Sequence, residues 1–295
     1  MMSREKEIYK VTLVGSVANI LLTILKFIAG IVGHSVAMTA DAVHSLSDLL
    51  TDAVVLLFVR ISAKPEDCSH DYGHGKYETL ATTLIGIALA VVATGIGVKA
   101  VTALLFWWHG GTLEAPGMLA LWAATISIII KELVYQYTIR RGHSLNSPAV
   151  EANAWHHRSD ALSSIGTLVG IGGAILLGDR WTILDPLASL VVTFFILRVA
   201  WKLLRQGLDE LLEASLPEEV EKEILDIITV FPDVHDPHHL RTRCIGNRYA
   251  IELHIRMDGS LTLDTVHTRT REIEQKLKEH FGANTHITLH VEPMK

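Results

Sequence analysis

Two His-x-x-x-Asp pairs stand out in the chain, His44 with Asp48 and His156 with Asp160. Four residues are close to one helical turn, so in a helix each pair sits on one face. Imidazole nitrogen and carboxylate oxygen bind first-row divalent metals, and two such pairs converging supply the four N/O donors of a tetrahedral zinc site. The competing arrangement is structural: His and Asp pair with each other, or with Lys26, and hold a bundle together. Asp41 and Asp52 extend the stripe of His44 and Asp48, at spacings of 3, 4 and 4. Each either lines an ion path or faces water at a helix end.

The segments carrying these pairs are apolar. The chain has 295 residues, 49% of them hydrophobic, and a mean hydropathy of +0.32. Six segments, 11–32, 35–59, 79–108, 118–139, 150–177 and 183–204, are long enough for the roughly 20 apolar residues a spanning helix needs. A carboxylate at the bilayer centre costs about 2.5–3.5 kcal/mol. Asp41, Asp48 and Asp160 unpaired there would cost on the order of 8–10 kcal/mol, comparable to the stability of a whole domain. They require a partner, a water-filled cavity or a bound cation. Arg4, Lys6, Lys10, Arg60, Lys64, Lys76, Arg140, Arg141, Lys202 and Arg205 all fall on one side of the six spans, against Arg180 alone on the other. That asymmetry places both termini in the cytoplasm, and the first span reads as a retained helix rather than a signal peptide. The net charge is −6 and no basic run points to nucleic acid. Cys68 and Cys244 offer no disulfide framework and suit a reducing compartment.

The connection after the second span, AKPEDCSHDYGHGKYE, clusters Asp67, His70 and His74, with Cys68 as a further candidate ligand. This density suggests a metal site on a loop, and the bland alternative is a solvated turn. From about residue 207 the chain reads as a water-soluble domain. An amphipathic helix over 217–231 precedes two strands around 238–246 and 249–259, a helix over 263–281 and a strand over 284–292. The order αββαβ describes a small two-layer α+β domain of ferredoxin or metallochaperone type. Strand alternation places Ile251, Leu253, Ile255 and Met257 on the core face, with His254, His290 and Glu292 on the other. His238 opens the first strand and His267 lies in the second helix. These five residues are either a cytoplasmic metal site or scattered exposed side chains.

With VHSLSD on the second span, HHRSD on the fifth, the HDYGHGKYE loop, LLEASLP after the sixth and HHLRTR in the tail, the chain resembles the cation diffusion facilitator family over nearly its whole length. The resemblance implies a six-span membrane domain, 1–206, and a cytoplasmic α+β domain, 207–295. It implies a homodimer in a lipid bilayer, exporting Zn²⁺ or another divalent metal for protons by alternating access, and not an enzyme. It places the transport site at His44, Asp48, His156 and Asp160, with Asp41 as possible lining. The loop site falls at Asp67, His70 and His74, and the cytoplasmic site at His238, His254, His290 and Glu292, with His267 nearby. His44 stands where some relatives have Asp and resembles the zinc-preferring pattern. Glu292 stands where some have Asp, and Lys76 and Glu213 match a dimer-associated charge interlock. The short chain resembles prokaryotic members, which makes the inner membrane the expected location. Iron, manganese, cobalt or cadmium as cargo, or a membrane sensor that does not transport, are the alternatives. A zinc hydrolase fits worse: no HExxH motif is present, and four protein ligands would close the site.

Overall fold

A computed structural model describes residues 4–62, 64–145, 148–246 and 248–294. The side chains of 51–57, Asp52 among them, lie outside that description. Six long helices come first: α1 (Arg4–Val32), α2 (Val36–Ser62), α3 (Lys76–Trp108), α4 (Met118–Leu145), α5 (Pro148–Leu176) and α6 (Leu184–Leu211). Then follow α7 (Glu218–Thr229), β1 (His235–Ile245), β2 (Arg248–Met257), α8 (Leu263–Phe281) and β3 (His286–Pro293). By contacts the chain divides into two compact units, Met1–Ala53 with Ile85–Lys202, and Val54–Leu84 with Leu203–Lys295.

Five of the six long helices, all but α2, are long and apolar enough on their described residues to cross a membrane. Several run past the apolar segments expected from sequence. The sixth span, expected over 183–204, continues to Leu211, and the third begins at Lys76 instead of 79. Apolar counting measures the stretch that fits hydrocarbon, whereas backbone hydrogen bonding carries a helix on into water.

Inside the first unit the packing residues are small. Ala29, Ala37, Ala120, Ala123 and Ala124 form a buried cluster with Met38 and Ile171. In lipid, helices gain little from hydrophobic burial against one another, and small residues let backbones approach closely enough for van der Waals packing. Leu21, Ile31, Val91, Phe194 and Trp201 point outward and are exposed, as lipid-facing side chains are. The start of α2 is fastened to α6. Ser35 Oγ donates to Asp185 Oδ1 at 2.5 Å, and the Val36 and Ala37 amides donate to Oδ2 at 2.9 and 3.5 Å. A carboxylate satisfies the free amides of a helix N-terminus and complements its dipole, so the entry of α2 is set before its ligand-bearing turns begin.

In the second unit the αββαβ order expected from sequence is present. The sheet runs β1-β2-β3, with β1 antiparallel and β3 parallel to β2. Ile251, Leu253, Ile255 and Met257 are buried with Ile224, Ile228, Ile273 and Leu277 from α7 and α8. Ile287, Leu289 and Val291 pack against that core. Leu253, 1% exposed, is predicted to destabilise the domain by about 2–5 kcal/mol when replaced by alanine, through lost burial and a residual cavity. Denaturant unfolding of Leu253→Ala measures it.

Candidate metal centres

The first centre lies within the helical unit. His44 and Asp48 stand one turn apart on α2, and Asp160 comes from α5. One ligand atom from each of the three lies within 4.8 Å of the others. Nδ1 of His44 and Oδ2 of Asp48 are buried and have no hydrogen-bond partner among the described residues. Buried polar atoms are nearly always paired, so lone pairs left free on two neighbouring donors suit a cation. His156, the fourth member of the expected set, is arranged differently. Its side chain is 51% exposed and Nε2 lies 3.9 Å from Asp160 Oδ2, so it borders the cluster from outside.

Asp41, expected as possible lining of this site, is not one of the three clustered donors and is paired with Lys26. Its carboxylate is buried and meets Lys26 Nζ at 2.7 Å. Ser164 Oγ donates to it at 3.1 and 3.2 Å. The Lys26 ammonium also donates to Ser45 and Ser164, at 3.0 and 3.2 Å. For Asp41, then, the structural arrangement with Lys26 holds. Asp52 falls among the side chains outside the description. A second buried lysine, Lys131 on α4, donates to Asp160 Oδ2 at 3.2 Å. Lys131 sits beside Glu132 in the stretch IIIKELVY, and only that pair of charges within an otherwise apolar run marks it in sequence.

The loop centre belongs to the second unit. Asp67, His70 and His74 bring one donor atom each within 4.8 Å of one another. The loop holds Asp67 tightly: Oδ1 accepts from the Ser69 hydroxyl at 2.8 Å, and from the Ser69 and His70 amides at 2.9 Å each. The Ser69 hydroxyl and amide, with His70, keep this carboxyl far below the usual carboxylate range. It is therefore a charged acceptor at any physiological pH. Its other oxygen lies 3.5 Å from His74 Nε2. Cys68 is exposed and free, and it stands outside the cluster. Gly75 allows the loop to reach the β1–β2 turn. A Cβ there would come within 2.5 Å of the Ile245 carbonyl oxygen.

The third centre is on the open face of the sheet. His238 pairs with His254 across β1 and β2, and His254 with His290 across β2 and β3, so the three histidines share one rung. Two overlapping sets of donor atoms result, His254 with His290 and Glu292, and His238 with His239 and His254. The His254 ring beside Glu292, then Arg256, holds that carboxyl below its ordinary value. Strand alternation alone misses His239, because adjacent residues in a strand face opposite ways. The register of β1 shifts on both sides of His238, and His239 has a φ of +52°. This irregularity turns two consecutive histidines toward His254, with ring centroids 5.4 and 5.1 Å away. Asp236, with a φ of +43°, shares the distortion. His267 is exposed on α8 and joins neither set among the described residues. Lys76 and Glu213 form an ion pair of 2.9 Å within this unit, and Lys76 holds the Glu213 carboxyl below its usual range.

Known proteins resemble the chain along its length. The cation efflux transmembrane domain matches residues 12–212, and the cation efflux protein cytoplasmic domain matches residues 216–294. The manganese efflux system protein MneP of Bacillus subtilis is 33% identical over 98% of this chain and 97% of its own. Metal tolerance protein C1 of Arabidopsis thaliana is 35% identical over 96% of this chain and 62% of its own. Magnetosome protein MamB of Magnetospirillum gryphiswaldense is 30% identical over 94% of this chain and 91% of its own.

Proposed function

This chain belongs to the cation efflux family of membrane metal transporters, and from that premise we propose that it exports zinc across the inner membrane in exchange for protons. The observation that carries this is the convergence of His44, Asp48 and Asp160 in a membrane-spanning unit, with buried donor atoms free to bind. His156, at the edge of the cluster, is the fourth ligand that a small movement of its side chain would supply. Two imidazoles and two carboxylates suit zinc better than an all-oxygen set, which favours manganese or magnesium. Metal binds neutral His and ionised Asp, so loading releases protons and protonation expels metal.

Both termini lie in the cytoplasm on this reading, which the arginine and lysine asymmetry supports. The working unit is a homodimer, and the loop and soluble centres bind cytoplasmic metal and regulate it. Among alternatives, manganese has one observation in its favour: a relative of nearly equal length is named for manganese efflux. Uptake into proteoliposomes across zinc, manganese, iron, cobalt and cadmium, with a pH probe in the lumen, separates these. Zinc is expected to enter fastest and to alkalinise the lumen as protons leave. A manganese flux above that of zinc would change the cargo, metal entry with no pH change would remove the antiport, and no flux of any metal would leave a sensor.

A further inference from the structure

Among the described residues the helical unit buries two lysines, and it holds them in different ways. Lys26, 0% exposed, has a complete socket in Asp41, Ser45 and Ser164. An ammonium has three donors, and each of these meets an oxygen. Lys131, 3% exposed, has one hydrogen-bond partner among the described residues, Asp160 Oδ2 at 3.2 Å. Two of its donors therefore lack a protein partner there. Its acceptor is the carboxylate shared with the His44 and Asp48 cluster, and the same oxygen lies nearest His156. Lys26 is built in, whereas Lys131 hangs on a residue that has another use.

Charge decides what such a lysine does. With both ionised, Asp48 and Asp160 carry two negative charges, and with Lys131 the metal-free centre then has a net charge of −1. A divalent cation on the same carboxylates brings it to +1 with Lys131 charged, and to neutrality without it. In a site of low dielectric a neighbouring ammonium opposes a dication strongly. Buried carboxylates with no cation at all are expensive inside a membrane, so the empty site gains from a resident one.

We propose that Lys131 is a tethered counter-cation of the transport site, neutralising Asp160 when metal is absent and being displaced from it when metal binds. It thereby lowers resting affinity and speeds release. This rests on the reading of His44, Asp48 and Asp160 as the cargo site. Lys131 is a positioning residue on this account, since it acts on the metal through Asp160.

The sign of the effect separates this from a structural role. A lysine that merely braces α4 against α5 would, on removal, loosen the ligands and weaken metal binding. A counter-cation, on removal, tightens it. The test uses the full-length protein in which His70, His254 and His290 are alanine, so that the loop and soluble centres are disabled. Zinc affinity is measured by competition with a chromophoric chelator, and flux in proteoliposomes. Lys131→Met is expected to bind zinc about tenfold more tightly, a change of about 1.4 kcal/mol, and to show lower KM with lower maximal flux. Lys131→Gln keeps a donor to Asp160 without the charge. It is expected to tighten binding likewise and provides the measurement if the methionine variant does not fold. Lys131→Arg restores the wild-type affinity. Affinity unchanged or weakened in a folded Lys131→Met or Lys131→Gln protein overturns the proposal. Asp160→Asn distinguishes the two levels. If it leaves zinc affinity intact, the cargo site is wrong and the counter-cation falls with it. If it abolishes binding while the lysine variants match wild type, only the counter-cation fails.

Discussion

Zinc flux by the His44→Ala protein is expected to fall to background, with the protein still folded. His44 contributes an imidazole whose Nδ1 has no hydrogen-bond partner among the described residues, so removing the ring breaks no visible hydrogen bond at that atom. What is lost is a metal donor. Changes to residues that only support ligands reduce metal affinity by about 10–100-fold, and loss of a ligand is expected to exceed about 100-fold. Asp160→Asn should abolish flux equally, but with a second consequence. It strips Lys131 of its carboxylate partner, and breaking a buried pair by removing one member destabilises by about 3–5 kcal/mol. The two variants therefore differ in stability and agree in transport. Combining Asp160→Asn with Lys131→Gln should recover stability without recovering flux. Wild-type flux from His44→Ala in proteoliposomes would refute the site.

The second large effect concerns the soluble domain. The part of the chain matched by the cytoplasmic domain, residues 216–294, has its own hydrophobic core, and zinc at its sheet face is expected to raise its melting temperature substantially. Metal at about 100 times Kd adds about 2.7 kcal/mol of stability when it binds only the folded state. For a domain this small each kcal/mol moves Tm by about 4–8 °C, so the shift should be on the order of 10–20 °C. His254→Ala with His290→Ala should remove it, because His254 belongs to both donor sets. A chelator added to the wild type should do the same. An equal zinc-induced shift in the double variant would show that the metal sits elsewhere.

The pH dependence of that shift follows from which groups must lose protons. Glu292 has its carboxyl held below the ordinary value by His254 and Arg256. Its contribution is present above the unfolded carboxyl value, about 4.3, and is lost only as pH falls through the depressed folded value. The histidines must be neutral to bind. The zinc stabilisation should therefore weaken on acidification as protons compete with metal for these donors, and Glu292, held below its ordinary value, should be the last carboxylate contribution to go.

Much of this was legible in the residue order. Apolar runs locate spanning helices because hydrocarbon admits only segments that satisfy their own backbone. Period-two alternation placed Ile251, Leu253, Ile255 and Met257 in the core, since a strand beneath helices buries one face. The His-x-x-x-Asp spacing put His44 beside Asp48, which is a local property of a helix. Only tertiary structure decided the rest. It assigned Asp41 to Lys26 and Asp160 to Lys131, because which charges meet depends on how four helices are rotated about their axes, and spacing within one helix says nothing of that. It left His156 beside the His44, Asp48 and Asp160 cluster instead of within it. It also turned His239 toward His254 through an irregular β1, where a positive φ breaks the alternation on which a strand is read. Most of the candidate donors of this protein can be named from its sequence, but the turn of His239 toward His254 and the partners of its buried charges follow from packing alone.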